Sequence, residues 1–193
     1  MALDIVILGP PGAGKGTQAK LIAKDAGIPH IATGDIIREM KEHDTELGRE
    51  VRAIYDRGDL IPDELMIELI RERLSQSDTA DGFVLDGFPR TLSQAEALDQ
   101  MLAEIDRDLS VGLNFELPDA LAIERLHVRA MQEGRTDDAP EVARHRFEVF
   151  HENTAPVVEH YRNRGILVGI HADRTIEEVF AEVQQVLQTE ATR

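Results

Sequence analysis

Residues 3–17 run Leu3-Asp4-Ile5-Val6-Ile7-Leu8-Gly9-Pro10-Pro11-Gly12-Ala13-Gly14-Lys15-Gly16-Thr17. A short apolar run feeding a glycine loop that ends in Lys at a helix start predicts a strand, a phosphate cradle and a helix. In such a loop several backbone N–H groups converge on one point. The helix N-terminus adds partial positive charge and Lys15 supplies a full one. Glycines are needed because side chains would keep the backbone from closing on phosphate oxygens. Gly12, Ala13, Gly14, Lys15, Gly16 and Thr17 are therefore candidate nucleotide-phosphate contacts. One irregularity stands out. The usual pattern places Ser or Thr directly after the Lys to ligate Mg²⁺, whereas here Gly16 follows and the hydroxyl comes at Thr17.

Working outward, the helix after the loop is expected over 15–25, with Ala19, Leu21, Ile22 and Ala23 facing inward and Gly27 ending it. A second strand follows at 29–32. Thr33-Gly34-Asp35 caps a helix running to 43, and further helices are expected over 46–57 and from just after Pro62-Asp63 to Leu74. Gly82-Phe83-Val84-Leu85-Asp86 is nearly all apolar and predicts a buried third strand. A helix over 91–104 has Ser93-Gln94-Ala95-Glu96 as its capping box. A strand at 111–117, a helix over 119–131 and a polar loop over 132–140 come next. One long helix over 141–164, bent near Pro156, a strand at 166–170 and a helix over 175–188 complete the chain. Strands alternating with helices predict an α/β fold, a five-stranded parallel sheet with helices on both faces. The segments 35–61 and 132–140 exceed what crossovers need, and are expected as insertions flanking the carboxyl edge of the sheet, where α/β ligands bind.

The chain has 193 residues, which suits one domain, and its 42% hydrophobic content fits a globular protein with an aliphatic core. No apolar stretch reaches membrane-span length and the opening residues start a strand rather than a signal peptide, so a cytoplasmic location is expected. Cysteine is absent, which excludes disulfides and thiolate metal sites. A net charge of −16 argues against a nucleic-acid groove. Because a nucleotide polyphosphate is itself an anion, arginines must be focused locally into a cleft. The lysine-poor acidity admits two readings, ordinary acidic composition or adaptation to high salt.

A second phosphate site is legible at Asp86-Gly87-Phe88-Pro89-Arg90. Asp86, at the end of a buried strand beside the loop, is placed to hold Mg²⁺ directly or through water. Arg90 emerges at the same edge on a stiff Phe-Pro support. Arg125 and Arg129 lie four residues apart on one helix, Arg135 sits in the polar loop, and Arg144 and Arg146 open the long helix. Converging guanidinium groups suit phosphoryl transfer, whose transition state spreads charge over equatorial oxygens. Arg90, Arg129, Arg135 and Arg146 are the candidates for that task alongside Lys15. Arg144 is read as solvated, and Arg125 as a flat face on which a base can stack.

The four stretches Gly9 to Gln18, Thr33-Gly34-Asp35-Ile36-Ile37-Arg38, Asp86 to Arg90 and Gly134-Arg135-Thr136-Asp137-Asp138 together resemble the adenylate kinases, in order and across essentially the whole chain. The resemblance implies the Mg²⁺-dependent reaction ATP + AMP ⇌ 2 ADP. It assigns Gly12 to Thr17 to the ATP phosphates, Arg125 to the ATP adenine and Arg129 to ATP phosphates. Thr33, Arg38, Asp59, Leu60, Ile61, Gly87, Phe88, Pro89, Arg90 and Gln94 would form the AMP site, with Arg135 and Arg146 reaching across the transferring phosphate. Asp35 and Asp86 would order the waters around Mg²⁺. The implied division is a core of 1–32, 62–131 and 141–193, a mobile AMP-binding insertion 33–61 and a short lid 132–140. With no Cys the lid carries no zinc, and short-lid members are monomers. Thr33 and Gln94 favour adenine, whereas the similar uridylate–cytidylate kinases carry Ala and Asn there. Three positions depart from the family pattern: Arg174 where Gly or Lys is common beside the ATP adenine, Val128 and Phe150. A small-metabolite kinase would need an Asp base near its acceptor, and a non-catalytic nucleotide sensor would tolerate loss of Arg135 and Arg146. Both stay open at this point.

Overall fold

The computed structural model describes residues 2–133 and 136–190. Its strands are β1 (Leu3–Leu8), β2 (His30–Ala32), β3 (Gly82–Asp86), β4 (Val111–Glu116) and β5 (Leu167–His171). The helices are α1 (Lys15–Ala26), α2 (Thr33–Glu42), α3 (Glu46–Arg57), α4 (Asp63–Leu74), α5 (Leu92–Ala103), α6 (Asp119–Glu133), α7 (Pro140–Val149), α8 (Ala155–Asn163) and α9 (Ile176–Glu190). The strands form one sheet in the order β2-β3-β1-β4-β5, every neighbouring pair parallel.

Side-chain alternation along the strands divides the core in two. On one face Ile5, Ile7, Val84, Leu113 and Phe115 pack with Ala19 and Ile22 of α1, Leu126 of α6 and Val183 of α9. On the other, Val6, Leu8, Phe83 and Leu85 pack with Ile70 of α4, Leu98 of α5 and Tyr161 of α8. Both faces are covered, so the central strands carry apolar residues at every position from Ile5 to Leu8 and are fully buried there. Among the described residues no helix is long and apolar enough to cross a membrane.

Register decides what meets at the carboxyl edge. Ile7 pairs with Asp86 and Ala32 pairs with Asp86 from the other side. Gly9, Gly87 and Thr33 are thereby brought to one edge, although they lie far apart along the chain.

Four local expectations change. Thr33 does not cap α2; it is the helix's first residue, and its hydroxyl donates to the Asp86 carbonyl (3.2 Å). The cap of α5 is Thr91, whose Oγ1 accepts from Gln94 N (3.2 Å), not the box beginning at Ser93. The extended backbone at Thr91 starts the helix two residues sooner than the Ser93 box implies. The long helix over 141–164 is interrupted by a π-helical segment, Phe150–Thr154, immediately before α8. Pro156 explains its position, since proline supplies no N–H and its ring displaces the carbonyl four residues back. Within the stretch expected as a loop, α6 runs on to Glu133 and Thr136–Asp138 forms a 3₁₀ turn.

Candidate active site

The loop between β1 and α1 closes tightly on its neighbours. Gly12 has φ +83°, and a Cβ there would lie 2.5 Å from the Ala122 carbonyl oxygen of α6, so only glycine fits. Lys15 Nζ donates to the carbonyls of Gly9 and Pro10, each at 2.7 Å. Burial, with Arg90, Arg146 and Arg129 nearby, pushes the Lys15 pKa down to about 7 despite the opposing attraction of Asp86. Such a group responds strongly to an arriving anion, which stabilises its charged form.

A cleft of about 560 Å³ opens above this edge. Its wall includes the loop from Gly12 to Thr17, then Asp35, Arg38, Leu60, Asp86, Gly87, Pro89, Arg90, Arg129 and Arg146. A smaller recess of about 40 Å³ adjoins it, sharing Leu60, Gly87 and Arg90, and adds Thr33, Asp59, Ile61 and Gln94. Phe88 is fully buried in the core and anchors this edge without lining either space, and the Phe88–Pro89 peptide is cis. Gly87 has φ +87°, and a Cβ there would meet Thr33 Oγ1 at 2.4 Å.

The charges are arranged in pairs. Asp86 faces the loop at Gly16, where a Cβ would stand 3.2 Å from its Oδ2. Burial alone would raise the Asp86 pKa, but His30, Lys15 and Arg90 outweigh it and hold the carboxylate below its ordinary value. Arg129 grips Asp138 with two bonds, Nε to Oδ2 at 2.6 Å and a terminal nitrogen to Oδ1 at 2.8 Å. Arg146 donates to Asp137 Oδ2 and to Asp138 Oδ1, both at 2.8 Å. These two acidic side chains are almost fully buried and fix the arginines from behind. Arg90 Nε donates to the Gly87 carbonyl (2.7 Å), and the Arg90 carbonyl accepts from Thr154 of the π segment (3.0 Å). Arg38 donates to Tyr55 Oη (3.1 Å) and pairs with Asp35.

Not every expected residue reaches the cleft. Arg125 turns the other way and donates to the Ala172 carbonyl (2.8 Å) at the end of β5. Arg174 is exposed and pairs with Glu182 of α9, outside both spaces. Arg144 is exposed. Arg135 lies outside the described residues. Sequence reasoning missed His30, Tyr55, Asp63, Asp137, Asp138 and Thr154 as parts of the site. Only Asp137 and Asp138 carried a signal, through their position beside Arg135.

The sheet order, the glycine loop at the end of its central strand and the cationic cleft above it define a P-loop nucleotide-binding protein of the α/β class. The adenylate kinase family model matches residues 7–166. The chain is 46% identical to an adenylate kinase of Thermobifida fusca over 189 residues, covering 98% of this chain and 100% of that one. It is 46% identical to an adenylate kinase of Cyanothece sp. over 183 residues (95% and 94%), and 40% identical to one of Stenotrophomonas maltophilia over 181 residues (94% and 97%). The chain belongs to the adenylate kinase family.

Proposed function

We propose that the chain catalyses ATP + AMP ⇌ 2 ADP with Mg²⁺, and that the cleft and its recess are the two nucleotide sites. The carrying observation is that the two spaces share Gly87 and Arg90, so a donor held on the P-loop and an acceptor in the recess meet at one arginine. On this reading Gly12 to Thr17 wrap the ATP phosphates. Lys15, Arg90, Arg129, Arg135 and Arg146 neutralise the transferring group, and Thr33, Arg38, Gly87 and Gln94 with the 59–61 backbone hold AMP. Arg125 and Arg174, which lie near the end of β5 and outside the cleft wall, are assigned to the ATP adenine side.

The acceptor is a phosphate with a second pKa near ~6 and is already largely dianionic at neutral pH. No general base is required. What remains is alignment of acceptor and donor in line, fixed guanidinium donors and exclusion of water. The insertions 33–61 and 132–140 are the parts assigned to closing the cleft. Magnesium bound with ATP lowers the charge on the phosphate oxygens and so eases approach of an anionic acceptor. Asp86, held ionised beside Gly16, suits such an ion bound mainly through water. Asp35, exposed at the cleft wall, is the second carboxylate. We read the chain as a monomer that works in the cytoplasm.

The test is ³¹P NMR of ATP and AMP with Mg²⁺ and the protein. ADP resonances should grow only when both nucleotides are present. ADP plus free phosphate appearing from ATP alone, or faster transfer to UMP or CMP than to AMP, would overturn the reading.

A further inference from the structure

Gln94 is almost fully buried and lines the small recess. Its Oε1 accepts from the Arg90 backbone N–H at 2.7 Å, and its Nε2 donates to Asp63 Oδ1 at 2.7 Å. Asp63, the first residue of α4, uses its other oxygen to accept from Thr91 Oγ1 at 2.8 Å. Thr91 Oγ1 in turn accepts from Gln94 N. Asp63, Thr91 and Gln94 thus form a closed ring of hydrogen bonds.

A carboxamide can ordinarily turn end for end, and its sense follows from its partners. Here both partners allow a single sense. An ionised carboxylate only accepts and a backbone N–H only donates. A reversed Gln94 would set oxygen against carboxylate and NH₂ against N–H. Among the described residues these contacts use one of the two Nε2 hydrogens and one of the two Oε1 lone pairs. One donor and one acceptor of fixed order remain for a base.

That order matters for purines. A 6-aminopurine presents a donor at N6 beside an acceptor at N1; a 6-oxopurine presents an acceptor at O6 beside a donor at N1. A carboxamide free to turn satisfies either edge, and one locked in a single sense satisfies one of them in a given pose. We infer that Asp63 is a specificity-determining positioning residue, which fixes the sense of the Gln94 amide and so makes the recess select a 6-amino over a 6-oxo purine monophosphate. The inference rests on the reading of the recess as the acceptor base site.

The test compares kcat/KM for AMP and for IMP, which differ only at this edge, with saturating ATP and Mg²⁺. Asp63→Ala is expected to lower the AMP/IMP ratio at least about tenfold, chiefly through a higher KM for AMP, with kcat changed less than about threefold. Asp63→Asn keeps the shape but can face Gln94 with either a donor or an acceptor. It should shift the ratio in the same direction by a smaller factor, and it serves if Asp63→Ala fails to fold by its thermal melt. In a Gln94→Ala background, Asp63→Ala should change the ratio no further. A ratio within twofold of the unmodified enzyme in either folded Asp63 variant overturns the inference, as does an equal loss in the Gln94→Ala background. If Gln94→Ala alone leaves the ratio unchanged, the assignment of the recess fails instead.

Discussion

Arg90 touches both spaces of the site and is held at both ends of its residue. Its Nε donates to the Gly87 carbonyl and its own carbonyl accepts from Thr154. Burial, then the proximity of Arg146, lowers its pKa below the usual arginine value, so cations are crowded where the phosphoryl group would pass. Arg90→Ala should lower kcat by about 100-fold or more, the scale of losing one fixed transition-state donor, with the thermal midpoint little changed. A loss under tenfold in steady-state assays would remove its assigned role. At this scale the sequence was informative where several residue types recur at one spacing, as in Asp86 to Arg90. It was silent on Asp63, because a lone acidic residue after Pro62 looks like an ordinary helix start.

Between elements, the turn after α3 rests on α7. A Cβ at Gly58 would meet side chains of both Val142 and Arg146 at 2.9 Å, and beside it Asp59 Oδ1 lies 2.7 Å from His145 Nε2. The hydrogen bond that His145 makes to Asp59 raises the histidine pKa, and His145, with Arg57 second, lowers that of Asp59. The histidine contribution is complete below its unfolded value near ~6.5 and is lost as pH rises through the raised folded value. The aspartate contribution is complete above ~3.9 and is lost only as pH falls through its lowered folded value. The contact is therefore strongest between those limits and fades on the alkaline side. His145→Ala should lower the thermal midpoint by about 1–3 °C at pH 5.5 and by nothing measurable at pH 8.5, the scale of an exposed pair. An equal effect at both values would show that the charge pair does not hold α3 to α7.

Over the whole molecule, two charge effects act at different depths. Asp4 of β1 is buried, and burial raises its pKa against the pull of Arg107, which donates to both its oxygens and to the Thr79 carbonyl (2.9 Å). Arg107→Ala strands that carboxylate and should cost about 3–5 kcal/mol, a fall of roughly 6–20 °C in thermal midpoint. A fall under 3 °C by calorimetry would mean that water reaches Asp4 once the guanidinium is gone. At the surface, the net charge of −16 opposes compaction through self-repulsion. Raising KCl from about 10 mM to about 150 mM shortens the screening length from roughly 30 to 8 Å, and the thermal midpoint should rise. A flat or falling midpoint would show that local pairs, which salt weakens, outweigh the net repulsion.

The sequence by itself determined the fold class, the phosphate loop and most of the cleft wall. Those features rest on local pattern: continuous apolar strands, glycines where backbone must approach phosphate, and Asp86 and Arg90 bracketing one short turn. Tertiary structure alone decided which side chains became partners. Asp4 meets Arg107 across 103 positions and Asp59 meets His145 across 86. Asp63 reaches Gln94 only because α4 and α5 pack side by side. Arg125 and Arg129, one helical turn apart, point to different places because one finds a carbonyl at the end of β5 and the other a buried carboxylate. Spacing along a chain sets which face a residue occupies, whereas strand register and helix packing set what stands opposite it.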